Sequence, residues 1–326
     1  MAEKIKKSFP GLLILTLVLV LGFGFYFQQP KSDSDTSPAW LWFSTQEVRA
    51  DVDTATTNVT VGNAIPTLSG LSLNGGATFA PNPAGVIAIT VSGQITDDNG
   101  CSDITTITGA IFVTIDVNLN CSANDDNCYI IATGTCITSS CTAGVADVSC
   151  PANIQFWAEP TDDDSDEWVG AILFTDGSSA TVEDTSVSES VEYTGSLCIS
   201  VVPASLAYGS LAPGANTGAT NQSTLVANVC NTAMDFSLSG TDMTEPSTYT
   251  IVVTEQQYGT VTFTYDGAGQ TVLDVGAVNI FIDAPKPSAS PTNSSDEIFW
   301  GIGIPSGAAE DPDYGGVNTF TAINDA

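Results

Sequence analysis

Beyond residue 50, short apolar stretches in which polar residues alternate recur along the chain, separated by Gly, Asn, Asp, Pro and Ser. Such period-two runs predict β-strands, and no segment shows the 3.6-residue period of an amphipathic helix. The clearest runs are VIAITVSGQIT at 86–96, WVGAILFTD at 168–176 and VNIFIDA at 278–284. NVTVG at 58–62 and TVTFTYD at 260–266 are also predicted to be strands. The pattern predicts an all-β protein made of sandwiches.

The first 27 residues have a different pattern. Lysines at positions 4, 6 and 7 precede an uncharged, largely apolar run from Ser8 to Phe27, which predicts a transmembrane or signal helix over 1–27. Basic residues stay in the cytoplasm, so the rest of the chain should be extracytoplasmic. Residues 28–50 form a polar, Trp-containing juxtamembrane linker. Retention of the helix as an anchor in the cell envelope and cleavage near Ala50 both remain open.

Charge narrows the choice of partners. The chain has 326 residues, with 37 acidic and six basic side chains and no histidine. After Arg49 the only basic residue is Lys286, while 33 acidic residues, all except Glu3, Asp33, Asp35 and Glu47, follow Ala50. Such a surface repels nucleic acid and anionic lipid. Because 43% of the residues are hydrophobic, the chain can still bury a core.

The eight cysteines predict a disulfide framework. Their spacings fit zinc poorly, and no histidine is available as a further ligand. Cys198 and Cys230 stand apart from the other six and are expected to pair with each other. Fifteen connectivities are open to the remaining six; short loops favour Cys121–Cys128 and Cys136–Cys141, which leaves Cys101–Cys150.

An acidic, serine-rich segment at 184–193 divides the strand-like runs into two series. We therefore expect two tandem sandwich domains, 51–195 with six of the cysteines and 196–326 with the other two. A chain of this length is long enough for both.

Both halves resemble known surface proteins. Residues 201–231 resemble the opening of bacterial immunoglobulin-like surface modules, with the sequence VVPASLAYGSLAPGANTGATNQSTLVANVCN. The segment from 298 to 323 resembles the closing hairpin of the same modules. The matching residues are Pro203, Leu206, Tyr208, Gly209, Pro213, Gly214, Val226, Asn228, Trp300, Pro305, Gly307, Tyr314 and Thr319. In the first half, residues 91–104 and 121–129 are similar to exported, cysteine-bearing proteins of uncultured small-celled bacteria. Their sequences are VSGQITDDNGCSDI and CSANDDNCY. The resemblance implies a surface protein with Ig-like folds and carries over no catalytic residue.

The residue inventory argues against an enzyme. Without histidine there is no Ser-His-Asp triad and no Cys-His dyad, so only carboxylate chemistry remains. Glu159, which follows Phe156 and Trp157, is the best single carboxylate, but an outward-facing glutamate at a strand end is the simpler interpretation. The run Asp176-Gly177-Ser178 predicts a hairpin turn.

Calcium is the one cofactor that this composition favours, because it takes oxygen ligands only. Three loops concentrate acidic residues, and a solvated turn is the simpler interpretation of each: Asp97, Asp98 and Asp103; Asp125 and Asp126; Asp162, Asp163, Asp164, Asp166 and Glu167. In the first loop, Asp98-Asn99-Gly100 is itself favourable turn chemistry.

Three functional hypotheses follow. The first is a non-enzymatic structural or adhesion protein of the cell surface, whose partner is another surface protein or a glycan. The second is a filament subunit that donates an N-terminal strand to its neighbour through Asp51, Val52, Val59 and Val61. These two differ in whether residues 51–62 pair within their own domain. The third is a carbohydrate-binding module or a carboxylate-based glycoside hydrolase, although Trp157, Trp168 and Trp300 are predicted to lie in the core.

Overall fold

The structure, a computed structural model, describes residues 53–114, 121–162, 166–178, 181–185, 190–245, 249–310 and 314–325. Within these ranges the protein consists of 18 β-strands and short 3₁₀ turns, with no α-helix, so the all-β prediction is confirmed. The described part of the chain likewise holds no helix with the length and apolarity that a membrane span needs. The predicted helix over 1–27 and linker over 28–50 lie outside the described residues.

Two four-stranded antiparallel sheets form the first sandwich. The first sheet has the order β1-β2-β6-β5 and the second has the order β4-β3-β7-β8. Their strands are β1 Thr67–Leu73, β2 Val86–Thr96, β3 Ile104–Val113, β4 Cys128–Ile131, β5 Ile137–Thr138, β6 Val145–Gln155, β7 Trp168–Asp176 and β8 Thr181–Thr185. The longest pairing joins β2 to β6 along their whole length.

The core of the first sandwich lies between these two sheets. Trp168 on β7 is fully buried and contacts the rings of Phe79, Tyr129 and Tyr193. Alternate residues of the strands supply the remaining apolar side chains, as the period-two pattern requires.

The second sandwich follows in the C-terminal half. One sheet has the order β15-β14-β17-β10-β9, the facing sheet has the order β16-β11-β18, and β12 pairs with β13 in a short ribbon. The strands are β9 Ile199–Val202, β10 Gln222–Asn228, β11 Met234–Gly240, β12 Met243–Thr244, β13 Thr250–Ile251, β14 Gln256–Gly259, β15 Thr271–Val272, β16 Val278–Ala284, β17 Ser295–Ile302 and β18 Asn318–Asn324. Trp300 is fully buried at the centre, where its indole N–H donates to Thr224 Oγ1 at 2.9 Å.

The described residues from Thr60 onwards form one compact unit. Within the compact unit, no described sheet contains strands from both sides of Gly195. Across the boundary, Ala84 N donates to Val229 O at 2.9 Å, and the Asn231 side-chain amide donates to Thr194 O at 3.2 Å. The two sandwiches are therefore joined by hydrogen bonds as well as by the chain itself.

Three of the predicted strands agree with the structure, and two others do not form. The predicted bounds of β2, β7 and β16 coincide with the observed ones. The predictions at 58–62 and 260–266 were wrong, because neither segment joins a sheet. The backbone of the second segment bonds to a loop instead of a strand: Phe263 N donates to the Asn221 side chain, and Tyr265 N donates to Gly218 O.

All eight cysteines form disulfides. Cys198 pairs with Cys230 and Cys121 with Cys128, as expected. The expected pairs Cys136–Cys141 and Cys101–Cys150 were wrong. The observed pairs are Cys136–Cys150 and Cys101–Cys141.

Strand pairing explains this correction. β5 pairs with β6 so that Ile137 lies opposite Ser149, which places Cys136, the preceding residue, beside Cys150. Asp97 N donates to Gly144 O at 2.8 Å and so brings the turn containing Cys101 to the loop containing Cys141. Both pairings depend on which strands are neighbours, which cysteine spacing does not reveal.

Candidate functional site

A large cavity opens along one side of the second sandwich. It has a volume of 1230 Å³ and is lined by β9, by the segment that follows β9, and by β18. Its apolar lining includes Ile199, Val201, Leu206, Met243 and Phe320. We call this feature the seam.

The two strands beside the seam are sheet edges. Among the described strands, β9 pairs only with β10, and β18 pairs only with β11. An edge strand presents unpaired N–H and C=O groups that can bond to an added strand. The seam therefore combines a groove of mixed polar and apolar lining with two sheet edges, features that the addition of an extended segment can use.

A polar network closes the inner end of the seam. Tyr208 Oη donates to Gln256 Oε1 at 3.2 Å, and Gln256 and Asn318 exchange side-chain hydrogen bonds at 3.3 and 3.1 Å. Burial raises the pKa of the Tyr208 hydroxyl well above its ordinary value. The network thus remains neutral and fixes the orientation of the amides.

The predicted strand-exchange segment is not a strand in this structure. No residue from Asp53 to Pro66 belongs to a sheet, and Val59 and Val61 are 87% and 79% exposed. Asp51 and Val52 lie outside the described residues. Next to this exposed stretch, Gly62 O accepts from the Asn99 side-chain amide at 3.4 Å, and the Asn63 side-chain amide donates to Asp176 Oδ2 at 2.6 Å.

The first acidic loop forms a turn. Gly100 N donates to Asp97 O at 3.0 Å, Asn99 N donates to Asp97 Oδ1 at 2.8 Å, and Asp97 is fully buried. Asp98 is exposed and Asp103 is half-buried. The structure does not gather the oxygens of Asp97, Asp98 and Asp103 into one group within 4.8 Å, so a calcium ion there stays a prediction.

The other two acidic loops have structural roles. Asp162 accepts from the Gly195 amide, and Asp166 Oδ1 accepts from Thr114 Oγ1 at 3.4 Å, while Asp163 and Asp164 lie outside the described residues. Asp125 lies beside Tyr129, whose hydroxyl donates to its carbonyl oxygen at 2.5 Å.

Glu159 takes part in an ion pair that joins the two sandwiches. The Lys286 ammonium group contacts Asp126 Oδ1 at 2.6 Å and also the Glu159 carboxylate. Asp126 and Glu159 belong to the first sandwich and Lys286 to the second. The best single carboxylate for catalysis is therefore engaged in holding the halves together.

The structure reveals one carboxylate group that the sequence did not indicate. Asp235 on β11, Asp283 on β16 and Asp325 just after β18 each place one carboxylate oxygen within 4.8 Å of the others. These residues are far apart in sequence and meet only because β11 lies between β16 and β18. The one local feature of the sequence that pointed to this group was Asp235 itself, an aspartate within the largely apolar strand MDFSLSG.

The three tryptophans have the predicted location. Trp157, Trp168 and Trp300 are buried, with at most 6% of any of them exposed. They therefore provide no platform on which a sugar could stack.

The similarity of this chain to known proteins is weak. No family model matches the chain, and no curated protein matches it. Among solved structures, the chain is similar to the major pilin subunit BcpA of Bacillus cereus, with 10% identity over 74% of this chain and 67% of that one and a TM-score of 0.23. It is also similar to a marsupial T cell receptor, with 10% identity over 73% and 62% and a TM-score of 0.21. Likeness at this level establishes no shared function.

Proposed function

We propose that this chain is a non-enzymatic structural protein of an extracytoplasmic surface, built from Ig-like sandwiches. The observation that carries the proposal is the oxidation of all eight cysteines into four disulfides. Such a framework persists in oxidising compartments and is rare where thiols are kept reduced. The strongly acidic surface fits the same setting, because it keeps a secreted protein soluble.

The bonding of the cysteines and of Glu159 supports a non-enzymatic role. The cysteines are joined in disulfides and have no thiolate to offer as a nucleophile. Glu159 shares the Lys286 ammonium group with Asp126, so its carboxylate is part of an ion pair between the two sandwiches. Since the chain has no histidine, general acid-base chemistry would have to come from another pair of carboxylates.

Expression of the full chain by two routes tests the compartment. After export, we expect no free thiol in the denatured, unreduced protein and a core that resists proteolysis. After expression in a reducing cytoplasm, we expect eight free thiols and rapid degradation, because each bridge contributes roughly 2–4 kcal/mol of stability. Free thiols in the exported protein, or equal protease resistance of the reduced protein, would contradict the proposal.

The exposure of Val59 and Val61 favours a second, more specific role as a self-assembling subunit. Asp53 to Val61 has Ala55, Thr57, Val59 and Val61 on one face of an extended chain. In the subunit hypothesis, this segment of one copy adds to the seam of the next, beside β9 or β18. Main-chain hydrogen bonds to the edge would supply affinity, and the valines would cover Ile199 and Phe320.

Such an interface has a head-to-tail geometry. The donor segment lies near the N-terminus and the seam lies in the C-terminal half, so the two surfaces of one copy differ. Interfaces of this heterologous kind generate rings or open filaments instead of closed dimers.

Substitution of the two valines tests the subunit role. The double variant Val59→Asp/Val61→Asp should prevent assembly, because the aspartates would place charges against apolar residues of the seam such as Ile199 and Phe320. Val275→Asp is the matched control, since Val275 is also highly exposed but lies between β15 and β16. Sedimentation velocity should show large species for wild type and control only. Equal assembly of all three proteins would exclude this donor segment.

A further inference from the structure

We infer that Asp235, Asp283 and Asp325 form a binding site for calcium at the outer face of the second sandwich. These residues come from the three adjacent strands β16, β11 and β18 or their ends. One carboxylate oxygen of each lies within 4.8 Å of the other two. The site is distinct from the three acidic loops that the sequence singles out.

The fold creates this convergence in two steps. Asp235 lies opposite Ile323 on β18, so Asp325, two residues further on, is its diagonal neighbour on the same face. On the other side, the register between β11 and β16 shifts, because Met234 lies opposite Ala284 and Phe236 opposite Ile280. The resulting bulge places Asp283 against Asp235.

The burial of Asp235 is the observation that points to a ligand. The side chain is fully buried, and its Oδ1 accepts from the backbone N–H groups of Ile282 and Asp283 at 2.8 and 3.0 Å. Its Oδ2 is also buried and has no hydrogen-bond partner among the described residues. A buried carboxylate oxygen without a partner is costly, and a bound cation would remove that cost.

Among the described residues, no cationic side chain is free to balance this group. Lys286, the only basic residue after Arg49, is engaged by Asp126 and Glu159. Three carboxylates this close repel one another, so the compensating charge has to come from solution.

The chemistry of the ligands selects the class of cation. Carboxylate oxygens are hard ligands, and the group contains neither the nitrogen nor the sulfur that zinc prefers. Asp283 and Asp325 are exposed, so the site is open on one side and can accept waters. Calcium tolerates such an irregular shell of six to eight oxygens, whereas magnesium requires a near-octahedral one.

Calcium titration of the full-length protein tests this site. The variant Asp283→Asn/Asp325→Asn keeps both side-chain shapes and avoids the buried Asp235, so it should fold. The variant Glu297→Gln/Glu310→Gln removes two exposed charges from the same half and serves as control. Calcium binding is measured by isothermal titration calorimetry, with magnesium as the competing ion, and the melting temperature is followed with and without chelator.

We expect calcium to raise the melting temperature of wild type and control. The Asp283→Asn/Asp325→Asn variant should lose at least tenfold in affinity, a change of the size that altered metal ligands or their supports produce. Absence of calcium binding to wild type up to about 10 mM would overturn the inference, since extracellular modules bind at about 0.1–1 mM. Unchanged affinity in the Asp283→Asn/Asp325→Asn variant, or an equal loss in the control, would also overturn it.

Discussion

Two tyrosine hydroxyls meet at a single backbone position in the first core. Tyr129 Oη accepts from Gln155 N at 3.0 Å, and Tyr193 Oη donates to Gln155 O at 3.1 Å. Burial raises the pKa of both hydroxyls far above the ordinary value near 10. The negative charge of nearby Asp125 also raises the pKa of Tyr129, by a smaller amount than burial does. The folded state therefore binds these two protons more tightly than the unfolded chain does.

This difference predicts how stability depends on pH at the alkaline end. Because the folded pKa values are raised, the stabilisation is complete below about pH 10 and declines as the pH rises above it. Absorbance at 295 nm should show that Tyr129 and Tyr193 ionise only as the protein unfolds, and Tyr193→Phe should weaken the decline. Ionisation of all tyrosines near pH 10 in the folded protein would contradict this interpretation.

Individual residues differ in how far the sequence revealed their role. The turn at Asp98-Asn99-Gly100 and the buried tryptophans follow from local chemistry, so both could be predicted. Asp235 could not be placed, because its partners Asp283 and Asp325 lie on strands that only the sheet order brings together.

At the scale of strands, the two sheets of the first sandwich are in close contact at Gly170. A Cβ atom added there would lie 2.6 Å from Val91 Cγ2, well inside van der Waals contact. Gly170 lies on β7 and Val91 on β2 of the facing sheet, so the absence of a side chain at Gly170 leaves room for Val91.

Gly170→Ala should therefore destabilise the protein by about 1–3 kcal/mol, as overpacking of a core does. Gly315→Ala is the matched control, since nothing lies within 4 Å of its added Cβ and its φ is not positive. Urea unfolding measures both variants. A Gly170→Ala protein as stable as the control would show that the sheets can separate freely at this point.

The elements themselves were partly predictable. β2 and β7 were predicted with their observed bounds because long Val/Ile/Thr alternation is a strong strand signal. β1 and β8 were missed, because TLSGLSL contains Gly and Ser and TVEDT is acidic. The disulfide pairs of Cys101 and Cys136 depend on which strands lie next to each other in the sheets. The local sequence pattern does not carry that information.

At the scale of the whole molecule, one ammonium group bridges two halves that otherwise repel each other. Lys286 in the second sandwich contacts Asp126 and Glu159 in the first, and all three side chains are partly exposed. The formal net charge of the chain is −31, so this is the principal charge attraction available between the halves.

Lys286→Met should lower the free energy of unfolding by about 1 kcal/mol, because partly exposed ion pairs are weak and two carboxylates would be left side by side. The loss should shrink as salt screens that repulsion. Lys286→Arg should stay close to wild type, since it keeps the charge. Urea titrations at low and high salt measure all three proteins; a salt-independent loss, or none, would contradict this role.

The most direct test of the structural role is negative-stain electron microscopy of the oxidised, full-length protein. Wild type and Val275→Asp should form linear head-to-tail assemblies, and Val59→Asp/Val61→Asp should give only separate particles. Calcium and a chelator should alter the melting temperature while leaving this contrast intact. Separate particles for wild type under every condition, or identical filaments for all three proteins, would contradict assembly through residues 53–61.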